Sequence, residues 1–137
     1  MPLGSVRYER VIAASADDVW ALIGRPERLH DWFPGITACS VEGNRREITL
    51  QSGLSLPEEI TVLDDRLRRF QYRIDSPFFP YHRGTIDVIA LSDTSCAVMY
   101  ATDCDPRTMA LVIGAAAAAG LDRLTEIFPT PIFPTPE

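Results

Sequence analysis

The chain has 137 residues, 46% of them hydrophobic and 23% charged, and its formal net charge at pH 7 is -6. This length and composition suit one folded domain with a single core and exclude a disordered chain. The negative charge, with no basic cluster longer than a pair, excludes nucleic acid as an expected partner. The longest apolar run, 109–121, is shorter than the about 20 residues that cross a bilayer, so we expect no membrane insertion.

The start of the chain is predicted to form a strand followed by two helices. Alternating polarity over 6–12 predicts a strand. Ser15 lies three residues before Asp18, a pattern that predicts the N-cap of a helix, and Gly24 is expected to end that helix. Pro26 suits the first position of a second short helix, which extends to about residue 30.

The middle of the chain, 36–104, contains turn signals at roughly ten-residue spacing, which predict about six strands in an antiparallel meander. Asp105 and Pro106 are then expected at the N-cap and first turn of a long helix that ends before Pro129. At about 1.5 Å per residue, this helix would be roughly 33 Å long, enough to lie across the whole sheet.

The ends of the chain and its cysteines suggest where the protein works. The N-terminus lacks the charged start and apolar run of a signal peptide, and the three cysteines (Cys39, Cys96 and Cys104) have no paired metal spacing. We therefore expect a cytoplasmic protein with reduced thiols, no metal and no cofactor.

The last nine residues, 129–137, contain four prolines and cannot form a helix. We expect one ligand-binding domain at 1–128 followed by this Pro-rich tail. Ile132 and Phe133 are unusually apolar for a free end, so the tail is expected either to be disordered or to pack on its own domain or a neighbour. The chain is accordingly expected to be a monomer or a homodimer.

Alternation along the strands assigns an apolar face that carries a few polar groups. These are Glu58, His82 and the hydroxyls of Tyr72 and Tyr100. A buried carboxylate or imidazole is costly unless water, a mutual hydrogen bond or a ligand satisfies it. The alternatives are that Glu58 reaches solvent at the start of its strand and that His82 is a satisfied wall residue.

The long helix has a face of small residues. Val112, Ala116 and Gly120 are four residues apart and therefore share that face. Such residues leave either a close contact or an empty space against the sheet. The aromatic residues of the sheet favour the empty space, and so an apolar cavity is predicted there.

Four stretches of the chain resemble members of a known superfamily. Residues 14–23 and the segment Trp32-Phe33-Pro34-Gly35-Ile36 resemble the opening of START-like (SRPBCC, Bet v 1-like) helix-grip domains, which include bacterial polyketide cyclase/dehydrase-type proteins. Residues 52–54 and 58–66 resemble the branch that contains the abscisic-acid receptors. The resemblance covers about 6–128. It implies an α+β fold, in which a seven-stranded curved antiparallel sheet surrounds a long C-terminal helix and two short helices separate strands 1 and 2.

The resemblance also implies roles for particular residues. Phe33 occupies the position of a receptor lysine that anchors the ligand carboxylate, so no cation is expected at the deep end. The receptors' pocket glutamate matches Glu58, and a pocket tyrosine matches His82. The first receptor loop is partly retained at 52–54, whereas 76–80 lacks the second loop's pattern. A hormone-receptor role is therefore not expected.

Three functions remain as hypotheses. The first is the binding of a small hydrophobic molecule, such as a lipid, isoprenoid, aromatic or polyketide-like compound. The second is a polyketide cyclase, aromatase or dehydratase in which Glu58 and His82 are the catalytic acid and base. The third is an interaction protein. The predicted ligand-binding residues are Phe33, Ile48, Leu50, Leu54, Glu58, Tyr72, Ile74, Phe78, Phe79, His82, Tyr100, Val112, Ala116 and Gly120.

Overall fold

A seven-stranded antiparallel sheet and a long helix dominate the computed structural model, which describes residues 2–131. The strands follow the order β1-β7-β6-β5-β4-β3-β2 across the sheet. Their bounds are β1 (Gly4–Ile12), β2 (Ile36–Glu42), β3 (Arg45–Leu50), β4 (Ser55–Asp64), β5 (Arg69–Ile74), β6 (Tyr81–Ser92) and β7 (Ser95–Asp105). Apart from β1, which joins β7, consecutive strands are neighbours, as the meander pattern predicted.

The helices complete the predicted α+β helix-grip fold. They are α1 (Ala16–Ile23), a 3-10 turn (Pro26–Arg28), α2 (Leu29–Trp32) and α3 (Met109–Ile127). The short helices lie between β1 and β2 in the chain, and α3 packs against β1 and β7. The predicted fold class is thus confirmed. The part of the tail at 132–137 lies outside the described residues, so its packing stays a prediction.

The start of α1 follows its sequence signal. The Ser15 hydroxyl accepts a hydrogen bond from the Asp18 amide at 3.1 Å, which satisfies one of the free amides of the first turn. At the other end, the Gly24 amide donates to the carbonyl of Trp20. The helix buries Val19 and Ile23 and thereby contributes to the core.

The start of α3 differs from the sequence prediction. Asp105 is the last residue of β7, where it pairs with Tyr81 of β6, and α3 begins only at Met109. Strand pairing therefore continues through the position that resembles an N-cap. The helix has 19 residues, which gives a length of about 28 Å instead of 33 Å. Within residues 2–131, no helix is long and apolar enough to span a bilayer.

The C-terminal half of α3 is tightly packed. Leu121 and Leu124 are fully buried in the main core. A Cβ atom added to Gly120 would lie 3.2 Å from the rings of both Trp32 and Phe33. The prediction that Gly120 faces an open space is therefore wrong, because these aromatic rings occupy that space. The cavity has to lie nearer the N-terminal half of the helix.

Candidate ligand-binding cavity

A cavity of about 690 Å³ lies between the sheet and the N-terminal half of α3. This volume falls within the range of small-molecule sites. Helix α3 contributes Met109, Val112, Ile113 and Ala116 to the wall. The predicted residues that line the cavity are Phe33, Ile48, Leu50, Leu54, Glu58, Tyr72, Ile74, Phe78, Phe79, Tyr100, Val112 and Ala116.

Further lining residues were missed by the sequence prediction. They include Leu29, Ile36, Leu56, Met109 and Ile113. Leu56 has the same strand parity as Glu58, and Met109 and Ile113 are four residues apart on one helix face, so both signals were present in the sequence. Leu29 is the first residue of α2 and Ile36 the first residue of β2, and simple periodicity gives no signal for them.

The rim of the cavity is unusually apolar. Leu54, Phe78 and Val112 line the cavity, yet each is more than half exposed to solvent. They come from three separate parts of the chain: the loop before β4, the loop before β6 and helix α3. Exposed apolar side chains that cluster around an opening are typical of a ligand-binding entrance.

Glu58 is a polar residue of the cavity wall, and it forms an ion pair with Arg46, which lies behind the wall and does not line the cavity. These residues are direct cross-strand partners in the β3–β4 ladder, and each is only 3% exposed. The Arg46 atoms Nε and Nη2 each lie 2.7 Å from Oε1 of Glu58. Arg46 also donates through Nη1 to the carbonyl of Pro26 at 3.2 Å. The pair is thus fixed by the strand register and held by three close polar contacts.

Glu58 lines the cavity with part of its hydrogen-bonding capacity unused. Within residues 2–131, its second oxygen, Oε2, has no hydrogen bond to the protein. Burial raises the pKa of this carboxyl, whereas the charge and hydrogen bonds of Arg46 oppose the increase. The carboxyl can therefore accept a hydrogen bond from a ligand and, when protonated, can donate one.

Arg46 is a buried cation behind the cavity wall, but it does not line the cavity, so the expectation that the deep end offers no cation stays a prediction. Its guanidinium carbon lies 5.1 Å from the centre of the Phe70 ring and 5.4 Å from that of Tyr72, which are cation–π distances. Arg46 shares strand parity with Ile48 and Leu50, so its inward direction was readable from the sequence. The cation is nevertheless already paired with Glu58.

Two tyrosines form the other polar feature of the wall. The hydroxyls of Tyr72 and Tyr100 are hydrogen-bonded to each other, and both residues are buried. Burial is the largest cause that raises the pKa of each phenol, so both are neutral near pH 7. Their mutual bond uses one hydroxyl proton and leaves the other available for donation. Gly84 permits this arrangement, because a Cβ there would overlap the Tyr72 ring.

His82 does not join Glu58 in the cavity. It borders a separate, smaller pocket, and its Nδ1 accepts a hydrogen bond from the Ile74 amide at 3.0 Å. Burial lowers the pKa of the imidazole to about 4, so the ring is neutral near pH 7. Within residues 2–131, Glu58 bonds to Arg46 and His82 to the Ile74 amide, and no hydrogen bond joins the two side chains. A cooperative Glu58–His82 pair therefore stays a prediction.

The three cysteines are free thiols. Cys96 and Cys104 are fully buried, and burial raises the pKa of both. Cys39 is half-buried, with its sulfur 3.2 Å from Nδ1 of His30 and in position to donate to the carbonyl of Glu27 at 2.9 Å. No group of three or more metal-ligating side chains occurs between residues 2 and 131.

The fold and the cavity together define a START-like helix-grip protein. The family model described as "Polyketide cyclase / dehydrase and lipid transport" matches residues 4–128. The chain therefore belongs to this family. The family and the fold together indicate a START protein of the ligand-binding or cyclase type. The resemblance to abscisic-acid receptors remains unconfirmed.

Individual proteins support the same assignment. S-norcoclaurine synthase 2 of Coptis japonica is 32% identical over 115 residues, which cover 70% of this chain and 58% of the synthase. The chain thus spans less than two thirds of that relative.

Two solved structures show the same fold. XoxI of Bacillus cereus has a TM-score of 0.85 at 23% identity, with 91% of this chain and 95% of XoxI covered. A START superfamily protein of Mycobacterium smegmatis has a TM-score of 0.72 at 14% identity, with coverage of 90% and 98%.

Proposed function

We propose that this protein binds a small, neutral and mostly apolar molecule in the cavity between the sheet and α3. The observation that carries this proposal is the mostly apolar cavity of about 690 Å³, with Glu58 and the Tyr72–Tyr100 pair in its wall. A lipid, isoprenoid, aromatic or polyketide-like molecule has the matching chemistry. Burial of its apolar surface contributes about 25 cal/mol per Å².

The polar groups in the wall restrict the ligand. The Oε2 atom of Glu58 offers an acceptor, and the tyrosine pair offers one donor. A ligand hydroxyl fits both, because it can donate to the carboxylate and accept from a phenol. A ligand carboxylate fits poorly, because it would meet the charge of Glu58 while Arg46 is already paired.

The test is a titration with N-phenyl-1-naphthylamine, a neutral apolar fluorophore. We expect saturable binding with a dissociation constant in the micromolar range, equivalent to about -8 kcal/mol. Ala116→Leu fills part of the cavity wall and should weaken binding by about tenfold or more through lost space. Long-chain alcohols should displace the fluorophore.

Ala115→Leu is the matched control, because Ala115 is an exposed neighbour on the same helix and does not line the cavity. This variant should bind the fluorophore like the wild-type protein. A non-saturable signal, or equal binding by both leucine variants, would refute the proposal.

An acid–base enzyme of the cyclase type is the second candidate. It is favoured by Glu58, whose pKa is raised by burial at the cavity wall, next to two phenols. In this mechanism Glu58 transfers a proton and a tyrosine hydroxyl stabilises an oxygen of the substrate, in place of the predicted role for His82. The sequence contains no lysine, so a catalytic imine on a lysine side chain is excluded.

Glu58→Gln distinguishes the two candidates. A binding protein should retain fluorophore binding within a few-fold in this variant. An enzyme should also retain binding but lose turnover of a cyclisable poly-β-ketone thioester, followed by mass spectrometry. Absence of turnover in the wild-type protein counts against the enzyme and leaves the binding proposal intact.

A further inference from the structure

The two edges of the sheet differ in how they are protected. At one edge, β2 contacts the 3-10 turn and α2, and its ladder has a bulge between Ile36 and Ala38. At the other edge, all nine residues of β1 (Gly4–Ile12) pair with β7 without a register shift. Among the described residues, no strand pairs with the second side of β1. A long, regular edge strand of this kind can accept another strand.

Apolar side chains of β1 remain exposed at this edge. Helix α3 packs on the inner face of the strand, where Gly114 lies close to Val6 and Tyr8. Even so, Tyr8 is 37% exposed and Val11 is 67% exposed. A partner strand at this edge would cover both side chains and would bind the unpaired backbone groups.

The charges of β1 are self-complementary. In an antiparallel pair of two β1 strands related by a two-fold axis, opposing side chains have to point to the same side of the sheet. When Tyr8 lies on that axis, Arg7 of each copy is opposite Glu9 of the other. This register also pairs Gly4 with Ile12 of the second copy, so the two strands overlap along their whole length.

The other registers are unfavourable. A shift by two residues in one direction places Arg7 opposite Arg7 of the second copy, and a shift in the other direction places Glu9 opposite Glu9. Like charges directly opposite each other destabilise a strand pair, whereas opposite charges stabilise it. Both shifts also shorten the overlap. Charge and length therefore favour the same register, the one centred on Tyr8.

Helix α3 has a compatible surface beside this edge. Leu111 is 72% exposed and borders a groove together with residues 3–6, while Asp122 is hydrogen-bonded to an arginine of β1. Ala115 and Ala118 lie between them on the same stripe of the helix. Because these side chains are small, the α3 helices of two copies can approach each other closely above the paired strands.

We propose that this protein forms a two-fold homodimer in which the β1 strands of two copies pair antiparallel about Tyr8. The two sheets then form one continuous sheet, with Arg7 and Glu9 matched across the axis. No residue of β1 lines the large cavity, so the dimer leaves both cavities intact. The interface is therefore independent of the proposed ligand binding.

The first test is sedimentation velocity of the full chain at pH 7, from about 1 to 100 μM, which covers micromolar dissociation constants. We expect the mass to rise with concentration to twice that of the chain. Glu9→Arg should weaken the dimer by about tenfold or more, because it places two arginines opposite each other. Asp31→Arg is the matched control and should dimerise like the wild-type protein, since Asp31 is an exposed residue of α2, which packs on the opposite edge strand.

The second test uses charge exchange between copies. Arg7→Glu should also weaken the dimer, because it places two glutamates opposite each other. An equimolar mixture of Arg7→Glu and Glu9→Arg should associate again, since two acidic side chains of one copy then face two basic side chains of the other. Circular dichroism of each variant checks that it is folded. Restored association in the mixture identifies the register centred on Tyr8.

The proposal is overturned if the wild-type protein stays monomeric over the whole concentration range. It is also overturned if Glu9→Arg dimerises as tightly as Asp31→Arg, because a different surface then holds the dimer, or if the mixture of the two charge variants does not associate. Fluorophore binding is measured on the same samples and should be unchanged in Glu9→Arg, so a failure of the interface is distinguished from a failure of the proposed function.

Discussion

Glu58 and His82 are both buried on the inner side of the sheet, yet their surroundings differ. Glu58 meets an opposite charge directly across the β3–β4 ladder and lines the large cavity. Within residues 2–131, the one hydrogen-bond partner of His82 is the Ile74 amide, at a place where the β5–β6 ladder has stopped, and the ring borders the smaller pocket. The strand register thus pairs Glu58 with Arg46, whereas His82 lies where the pairing of two strands has ended.

This difference explains why burial has a different consequence at each site. At Glu58, the Arg46 charge partly offsets the cost of burying a carboxylate. At His82, burial is the cause of the lowered pKa, and the ring stays neutral. Alternation determines which face a side chain joins, whereas register determines which neighbours it meets.

The largest expected effect comes from breaking the pair around Glu58. Arg46→Met should lower the free energy of unfolding by about 3–5 kcal/mol, because it leaves a buried carboxylate without its partner. Chemical denaturation at pH 7 measures the change. The double variant Arg46→Met/Glu58→Leu should recover most of the loss, since neither charge is then left buried.

Arg45→Met is the control for Arg46→Met. Arg45 is the adjacent residue and pairs with Asp75 at 2.8 Å, but its side chain is largely exposed. Exposed pairs contribute about 0–1 kcal/mol, so this variant should change stability little. If both methionine variants lose the same free energy, the difference in burial has no energetic consequence and the interpretation of Glu58 is wrong.

The next largest effect is a pH dependence of the free energy of unfolding, caused by His82. Its pKa is about 4 in the folded protein, against an ordinary value of 6.5. The unfolded chain therefore binds more protons between these values, and the contribution of His82 to stability is lost as the pH falls from 6.5 towards 4. The full change amounts to about 3 kcal/mol, at 1.36 kcal/mol for each unit of pKa.

Denaturation curves of the wild-type protein and His82→Gln between pH 7 and pH 4 measure this contribution. The difference between the two proteins should shrink as the pH falls. Glu58 titrates with the opposite sign, since its raised pKa favours protonation of the folded state, and it cancels in the difference. A difference that is constant with pH would contradict the neutral, buried assignment of His82.

Much of the fold was predictable because its signals are local. The Ser15 cap, the helix end at Gly24 and the alternation in β5 each depend on residues close together in the chain. The cavity wall followed from the same alternation, which placed Ile48, Leu50 and Tyr72 on the inner face. Combined with the resemblance to helix-grip domains, these signals were sufficient for the fold class.

The errors arose where long-range pairing overrides a local signal. Asp105 resembles an N-cap but continues the pairing of β7 with β6. Gly120 suggested empty space, but the rings of Trp32 and Phe33 fill that space from 87 or more positions away in the chain. The burial of Arg46 was missed for another reason. Its strand parity predicts an inward direction, but a charged side chain favours an exposed position unless it is paired, and its partner Glu58 is identified only by the strand register.

The smallest effect concerns Tyr72, which borders both pockets and therefore joins the two regions. Tyr72→Phe should destabilise the protein by about 1 kcal/mol, because it removes the hydrogen bond to Tyr100. Tyr100→Phe removes the same bond and should cost a similar amount.

A double-mutant cycle with denaturation as the readout tests whether the two hydroxyls act as one unit. The double variant Tyr72→Phe/Tyr100→Phe should cost about 1 kcal/mol less than the sum of the single variants, because the shared bond is lost only once. Strictly additive losses would show that the hydroxyls of Tyr72 and Tyr100 do not depend on each other. The pair offers a ligand one free hydroxyl proton, and Tyr100→Phe leaves Tyr72 with one as well. This variant should therefore change the affinity of the cavity for long-chain alcohols by a few-fold at most.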